Sequence, residues 1–257
     1  MLKTVTPIDN SILVERKYAT EVEIDNTLQN AYEARNKWKE TSLSERKEVV
    51  RNFVKCFLLN SAEIVENLCK QIGRPISQCP GEMRGFEERA NYMIDNADRA
   101  LEDVVSRKDN EFDNYIKKEP LGTIFVIAPW NYPFNTSVNS IVPSLLSGNT
   151  VILKHSSQTP LCAEQLFDAA SKASMPNNIF QFLHLDHSST SKVISDHRIN
   201  HVLFTGSVSG GKEIKKSIGT RFIGAGLELG GKDPAYVRSD CNLEHAIENL
   251  VDGSYFN

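Results

Sequence analysis

Five short apolar runs fall within the stretch from Leu121 to Leu229, at residues 121–128, 150–153, 178–183, 201–204 and 222–229. Each ends in turn residues, and most are followed by a helical pattern. Strands that are apolar on both faces need helices above and below them, so the expected fold is α/β with a parallel sheet. Such sheets place their ligand sites in the loops beyond the carboxyl ends of the strands. Function is therefore sought in those loops.

The preceding segment, from about residue 25 to 107, reads as helices. Asp25 is expected to cap a helix carrying Leu28, Ala31, Ala34 and Trp38 at helical spacing, and Ser42 with Glu45 forms a capping box that opens a second. Gly73, Arg74 and Pro75 punctuate a third. A fourth is expected over residues 86–105, with Phe86, Ala90, Met93, Ile94 and Ala97 on one face, followed by a short strand over 114–118.

Several classes of function are excluded early. Twenty-nine Lys and Arg against thirty-three Asp and Glu give a net charge of -4, with no basic excess to hold a phosphate backbone, so no nucleic acid partner is expected. The N-terminus leads into polar sequence, and no apolar run approaches the ~18 residues of a membrane span. A soluble, cytoplasmic protein is the expectation. The five cysteines, Cys56, Cys69, Cys79, Cys162 and Cys241, form no C-x-x-C pair and no metal-ligand spacing with the six histidines. They read as reduced structural thiols, and no metal site is expected.

Four of the strand-end loops hold unusual residues. Pro129, Trp130, Asn131, Tyr132 and Pro133 follow the first run, where an Asn between fixed prolines can donate to an oxyanion or simply cap a helix. Lys154 ends the second run, placed to reach a ribose or phosphate, or to stand solvated. Gly206, Ser207, Gly210 and Gly211 follow the fourth run and open a helix that could receive a phosphate. This turn nearly matches a Walker A loop, but Glu213 stands where Ser or Thr must hold Mg²⁺, which rejects an NTPase. In the fifth run, Gly224 and Gly226 fail the dinucleotide fingerprint because Leu229 occupies the third glycine position. Glu228, a carboxylate between two leucines, is expected to be buried; it is then either a general base with a raised pKa or the partner of a structural cation.

In this order and on successive sheet elements, these motifs closely resemble the NAD(P)-dependent aldehyde dehydrogenase superfamily from about residue 10 onward. The resemblance implies a Rossmann-like cofactor domain over residues 1–102 and 121–229, an oligomerisation arm over 103–120, and the start of a catalytic domain over 230–257. It assigns Lys154 to the adenosine ribose, Gly206 and Ser207 to the pyrophosphate, and Pro129, Trp130, Leu229 and Gly230 to the cofactor cleft. Asn131 would stabilise the oxyanion and Glu228 would activate water. The implied reaction oxidises an aldehyde through a cysteine thiohemiacetal and thioester, with NAD or NADP as the electron acceptor and no metal. Assembly as a homo-oligomer, a dimer or a tetramer, is implied as well.

Three departures from the family pattern matter. The family nucleophile follows a Phe-Asn pair matched by Phe256 and Asn257, and none of the five cysteines occupies that position. The sequence is therefore expected to be an N-terminal portion without dehydrogenase activity of its own. Ser157 stands where NAD-preferring members carry an acid for the ribose 2'-hydroxyl, so NADP is expected to be accepted as well as NAD. The loop from His184 to Ser188 lacks the usual glycines, which leaves its cofactor contact open, and His184 and His187 are expected at the surface. Two other readings stay open: a non-catalytic dinucleotide-binding module and a pseudoenzyme scaffold that assembles through its arm.

Overall fold

Thr20 starts the first helix, because its hydroxyl accepts from the Glu23 N–H while the Glu23 carboxylate accepts from the Thr20 N–H at 2.7 Å. The cap is thus Thr20 and not Asp25, which lies within the first turns of α1 (Glu21–Glu40) and pairs with Arg198 at 2.8 Å. Ser42 and Glu45 form the expected capping box of α2 (Leu43–Leu59). Gly73 then ends α3 (Ser61–Ile72) in the left-handed conformation at φ 72°, which glycine adopts without steric cost. The computed structural model describes residues 1–108 and 111–255.

Helix α4 spans Pro80–Leu101, beginning six residues before the expected Phe86 because Pro80 occupies its first turn. It also ends earlier than expected. Val104 and Val105 enter a strand, β3 (Val104–Lys108), which pairs antiparallel with β4 (Asp113–Ile116) in an exposed hairpin. A second hairpin, β1 (Leu2–Val5) with β2 (Ile12–Arg16), forms where only polar sequence was read.

The five apolar runs are all strands: β5 (Thr123–Ile127), β6 (Thr150–Lys154), β7 (Phe180–Phe182), β8 (His201–Gly206) and β9 (Gly224–Leu229). They form one parallel sheet in the order β7-β6-β5-β8-β9. Between them lie α5 (Pro133–Leu146), α6 (Pro160–Lys172), α7 (His187–Ser195) and α8 (Val208–Ile218), and α9 (Leu243–Tyr255) follows. Side chains of β5 alternate between two cores. Ile124 and Val126 pack with α2 to α6, whereas Phe125 and Ile127 pack with α1, α7 and α8. On the first side Phe57 meets Phe86 and Phe134 with ring centroids 4.3 and 5.0 Å apart, locking α2, α4 and α5 together. The fold is the expected α/β, Rossmann-like arrangement. Among the described residues, no helix is long and apolar enough to cross a membrane.

Candidate active site

The chain reverses direction across the sheet between β5, from which β6 and β7 extend one way, and β8, from which β9 extends the other. Loops diverge at such a point and leave a crevice at the carboxyl edge. Parallel register sets Ile127 beside both Lys154 and Phe204, and Thr205 beside Glu228. The turns after β5, β6, β8 and β9 therefore open on one edge and line a cleft of about 910 Å³. The ten residues read from the sequence as catalytic or cofactor-contacting all line it: Pro129, Trp130, Asn131, Lys154, Ser157, Gly206, Ser207, Glu228, Leu229 and Gly230.

Lys154 is the cation of this cleft wall. Burial pushes its ammonium pKa below the ordinary value, and among the described residues nothing accepts a hydrogen bond from its Nζ. A desolvated, unpaired ammonium gains by binding an acceptor. Beyond β8, Ser207 caps α8 by accepting from the Gly210 N–H at 3.0 Å, which aims the positive end of the helix dipole at the cleft. A Cβ at Gly206 or Gly210 would come within 2.6 Å of the Phe204 ring, so glycine is what lets this turn lie flat on that ring. Trp130 and Leu229, both exposed, supply apolar walls. Glu213 also reaches the cleft but is paired with Lys216 at 2.6 Å.

Glu228 is exposed, contrary to the buried carboxylate expected from its leucine neighbours. Among the described residues β9 pairs only with β8, so one of its sides stays open. Ser157 is exposed on the turn after β6, whose backbone is tied to the N-terminal hairpin by the Thr4 hydroxyl donating to the Ser157 carbonyl at 2.8 Å. Among the residues after β7, His187 and Thr190 reach the cleft from α7. His184 is not at the surface as expected; its Nε2 lies 2.9 Å from Glu164, which also binds Arg16 at 2.7 Å. Burial opposes ionisation of Glu164, but these two partners hold its carboxyl down at about 2.

Three residues beneath the cleft carry no site role in the sequence analysis. His155 is buried, with Nδ1 2.8 Å from the Thr159 hydroxyl and Nε2 3.4 Å from the Pro133 carbonyl, so it ties the β6 turn to the start of α5. Burial pushes its pKa down to about 3, leaving it neutral. Arg74 and Glu82 form a buried ion pair at 2.6 Å below Asn131. The available signal was Glu82 itself, a charge in line with Phe86, Ala90 and Ile94 on the buried stripe of α4. None of the five cysteines lines the cleft: Cys79 and Cys162 are buried, Cys56 and Cys69 half-buried, and Cys241 exposed elsewhere. Phe256 and Asn257, the pair that marks the approach to the family nucleophile, lie outside the described residues.

Comparison with known proteins places this architecture among relatives. The sequence profile of the Aldehyde dehydrogenase family matches residues 1–257. A succinate semialdehyde dehydrogenase [NAD(P)+] of Escherichia coli strain K12 is 31% identical over 254 residues, covering 99% of this chain and 55% of that protein. A D-glyceraldehyde dehydrogenase (NADP(+)) of Picrophilus torridus is 28% identical, over 100% of this chain and 52% of that one. The solved structure of a succinic semialdehyde dehydrogenase from Streptococcus pyogenes, in complex with NADP+, superposes with a TM-score of 0.91 at 25% identity, over 99% of this chain and 56% of that chain. The chain thus spans about half the length of the curated relatives it matches.

Proposed function

The chain belongs to the aldehyde dehydrogenase family, and from that premise we propose that its cleft binds NAD+ or NADP+ and serves the oxidation of an aldehyde to a carboxylic acid. One observation carries this reading: ten residues chosen from four separate turns converge on a single crevice between β5 and β8. The donor set fits a dinucleotide. Lys154 offers an unpaired ammonium, the Gly206 to Gly210 turn lies close on the Phe204 ring at the N-terminus of α8, and Trp130 and Leu229 offer apolar walls for flat rings. The bound dinucleotide supplies the hydride acceptor.

The chain's own residues do the remaining work. When a thiolate adds to the aldehyde carbon, the carbonyl oxygen becomes an oxyanion, and the Asn131 side-chain N–H donates to it. Glu228 takes a proton from water, which then attacks the thioester and releases the acid. No cysteine of this sequence lies in the cleft, so the thiolate is none of these five, and the 257-residue chain alone is expected to bind nucleotide without oxidising aldehyde.

Ser157 in place of an acid leaves no carboxylate there to repel a 2'-phosphate, so NADP is accepted beside NAD. Residues 1–102 and 121–229 form the cofactor domain, with 230–257 beginning the catalytic one. The β3–β4 hairpin exposes Val104, Val105, Tyr115 and Ile116, which suits an arm that joins a second copy. The test is aldehyde-dependent NAD(P)H formation by the whole protein that carries this sequence. Asn131→Ala is expected to lower kcat by about 10²- to 10³-fold; an unchanged kcat would sink the oxyanion role.

A further inference from the structure

We infer that the buried pair Arg74 and Glu82 is the positioning device of the Asn131 amide, acting on aldehyde oxidation without touching substrate; this rests on the oxyanion role of Asn131 proposed above. The geometry is specific. Arg74 Nη1 donates to Glu82 Oε2 at 2.6 Å, and Arg74 Nη2 donates to the backbone carbonyl of Asn131 at 2.5 Å. The guanidinium carbon also lies 4.4 Å from the centroid of the Tyr132 ring. The second oxygen of Glu82 accepts from the N–H groups of Phe134 and Asn135, at 2.7 and 3.2 Å.

These contacts fix the turn from both sides. Tyr132 offers no side-chain cap to α5, and Pro133 has no N–H, so the first free donors of that helix are those of Phe134 and Asn135. Glu82 caps them from another helix, where a carboxylate also meets the positive end of the dipole. Residues 131, 132, 134 and 135 are thus all held by one ion pair whose side chains are only 5% and 0% exposed. Gly73 makes this approach possible: at φ 72° it turns the chain so that Arg74 points inward, and a Cβ there would lie 2.7 Å from Pro7 Cγ.

Stability alone does not account for such a pair, since well-packed apolar residues often replace a buried ion pair without loss. An oxyanion donor, by contrast, must be held in place before charge develops, and about 1 Å of misplacement can cost 10²-fold in rate. Arg74 can bind Glu82 and Asn131 together because the guanidinium is a planar fork, whereas an ammonium is a single point.

The experiment compares Arg74→Lys, Glu82→Gln, Asn131→Ala and the double variant Arg74→Lys/Asn131→Ala in the whole protein that carries this sequence. Arg74→Lys retains a charge for Glu82 but releases the Asn131 carbonyl. It is expected to lower kcat about 10- to 100-fold, with the nucleotide Kd and KM within twofold of wild type. The double variant is expected to be no slower than Asn131→Ala alone, because Arg74 acts only through that amide. Glu82→Gln, which keeps a carbonyl cap, serves if Arg74→Lys does not fold, and it should show the same split of kcat from KM. A kcat for Arg74→Lys equal to wild type, or losses that multiply in the double variant, overturns the inference while Asn131 keeps its role. An Asn131→Ala variant at full kcat overturns both.

Discussion

Asn131, in the turn after β5, and Glu228, near the end of β9, look alike in the sequence, each a lone polar residue set among apolar neighbours at the carboxyl end of a strand. In the fold they are opposites. β5 lies between β6 and β8 with all five residues buried, and its turn is held by Arg74, Glu82 and the neighbouring His155. Among the described residues β9 pairs only with β8, Glu228 and Leu229 are exposed, and a Cβ at Gly230 or Gly231 would meet nothing within 4 Å. Place in the sheet, and not local sequence, decides how firmly a turn is held. The two proposed roles divide along the same line, since an oxyanion donor works by preorganisation and a base that activates water works by access to it.

The widest gap between the two turns is in stability. Glu82→Ala removes the carboxylate of a buried ion pair and should cost about 3–5 kcal/mol in urea unfolding. Glu228→Gln on the edge strand should stay within about 0.5 kcal/mol. Equal costs would erase the contrast. A second effect appears with pH. Because burial holds His155 at about 3 in the folded state, below its ordinary 6.5, the unfolded chain alone takes up that proton as pH falls between these values. Stability is therefore lost as pH drops below about 6.5, by about 2 kcal/mol at pH 5. Replacing His155 with Asn should flatten that slope, as followed by unfolding midpoints at several pH values. The smallest effect is expected at α8, where Ser207→Ala removes a helix cap worth about 1 kcal/mol and should loosen the glycine turn, read as a modest rise in nucleotide Kd.

Much of this was visible in the sequence because it was local. The five apolar runs carry their own pattern, and Ser42 and Glu45 or Gly73 carry their own caps and stops. What escaped depended on distant partners. The position of Glu82 on the apolar stripe of α4 marks it as a buried charge, but its partners, Arg74 and the start of α5, are not legible until the fold brings them together. The exposure of Glu228 follows from strand order, which the runs do not state. The β1–β2 hairpin consists of strands of four and five residues, too short to stand out as periodic runs, although it pins the Ser157 turn through Thr4. His184 is half-buried because Glu164 on α6, itself paired with Arg16 on β2, binds its Nε2 while the Phe182 ring packs against it.

The claim that these turns make one nucleotide cleft is tested most directly by titrating the purified chain with NAD+ and NADP+. Trp130 lines the cleft and Trp38 is buried away from it, so fluorescence quenching compared with a Trp130→Phe control reports the site. Saturable quenching by either nucleotide, weakened about tenfold or more by Lys154→Ala through loss of a charge-assisted hydrogen bond, is the predicted result. Absence of saturable binding, or binding that Lys154→Ala leaves unchanged, would contradict it.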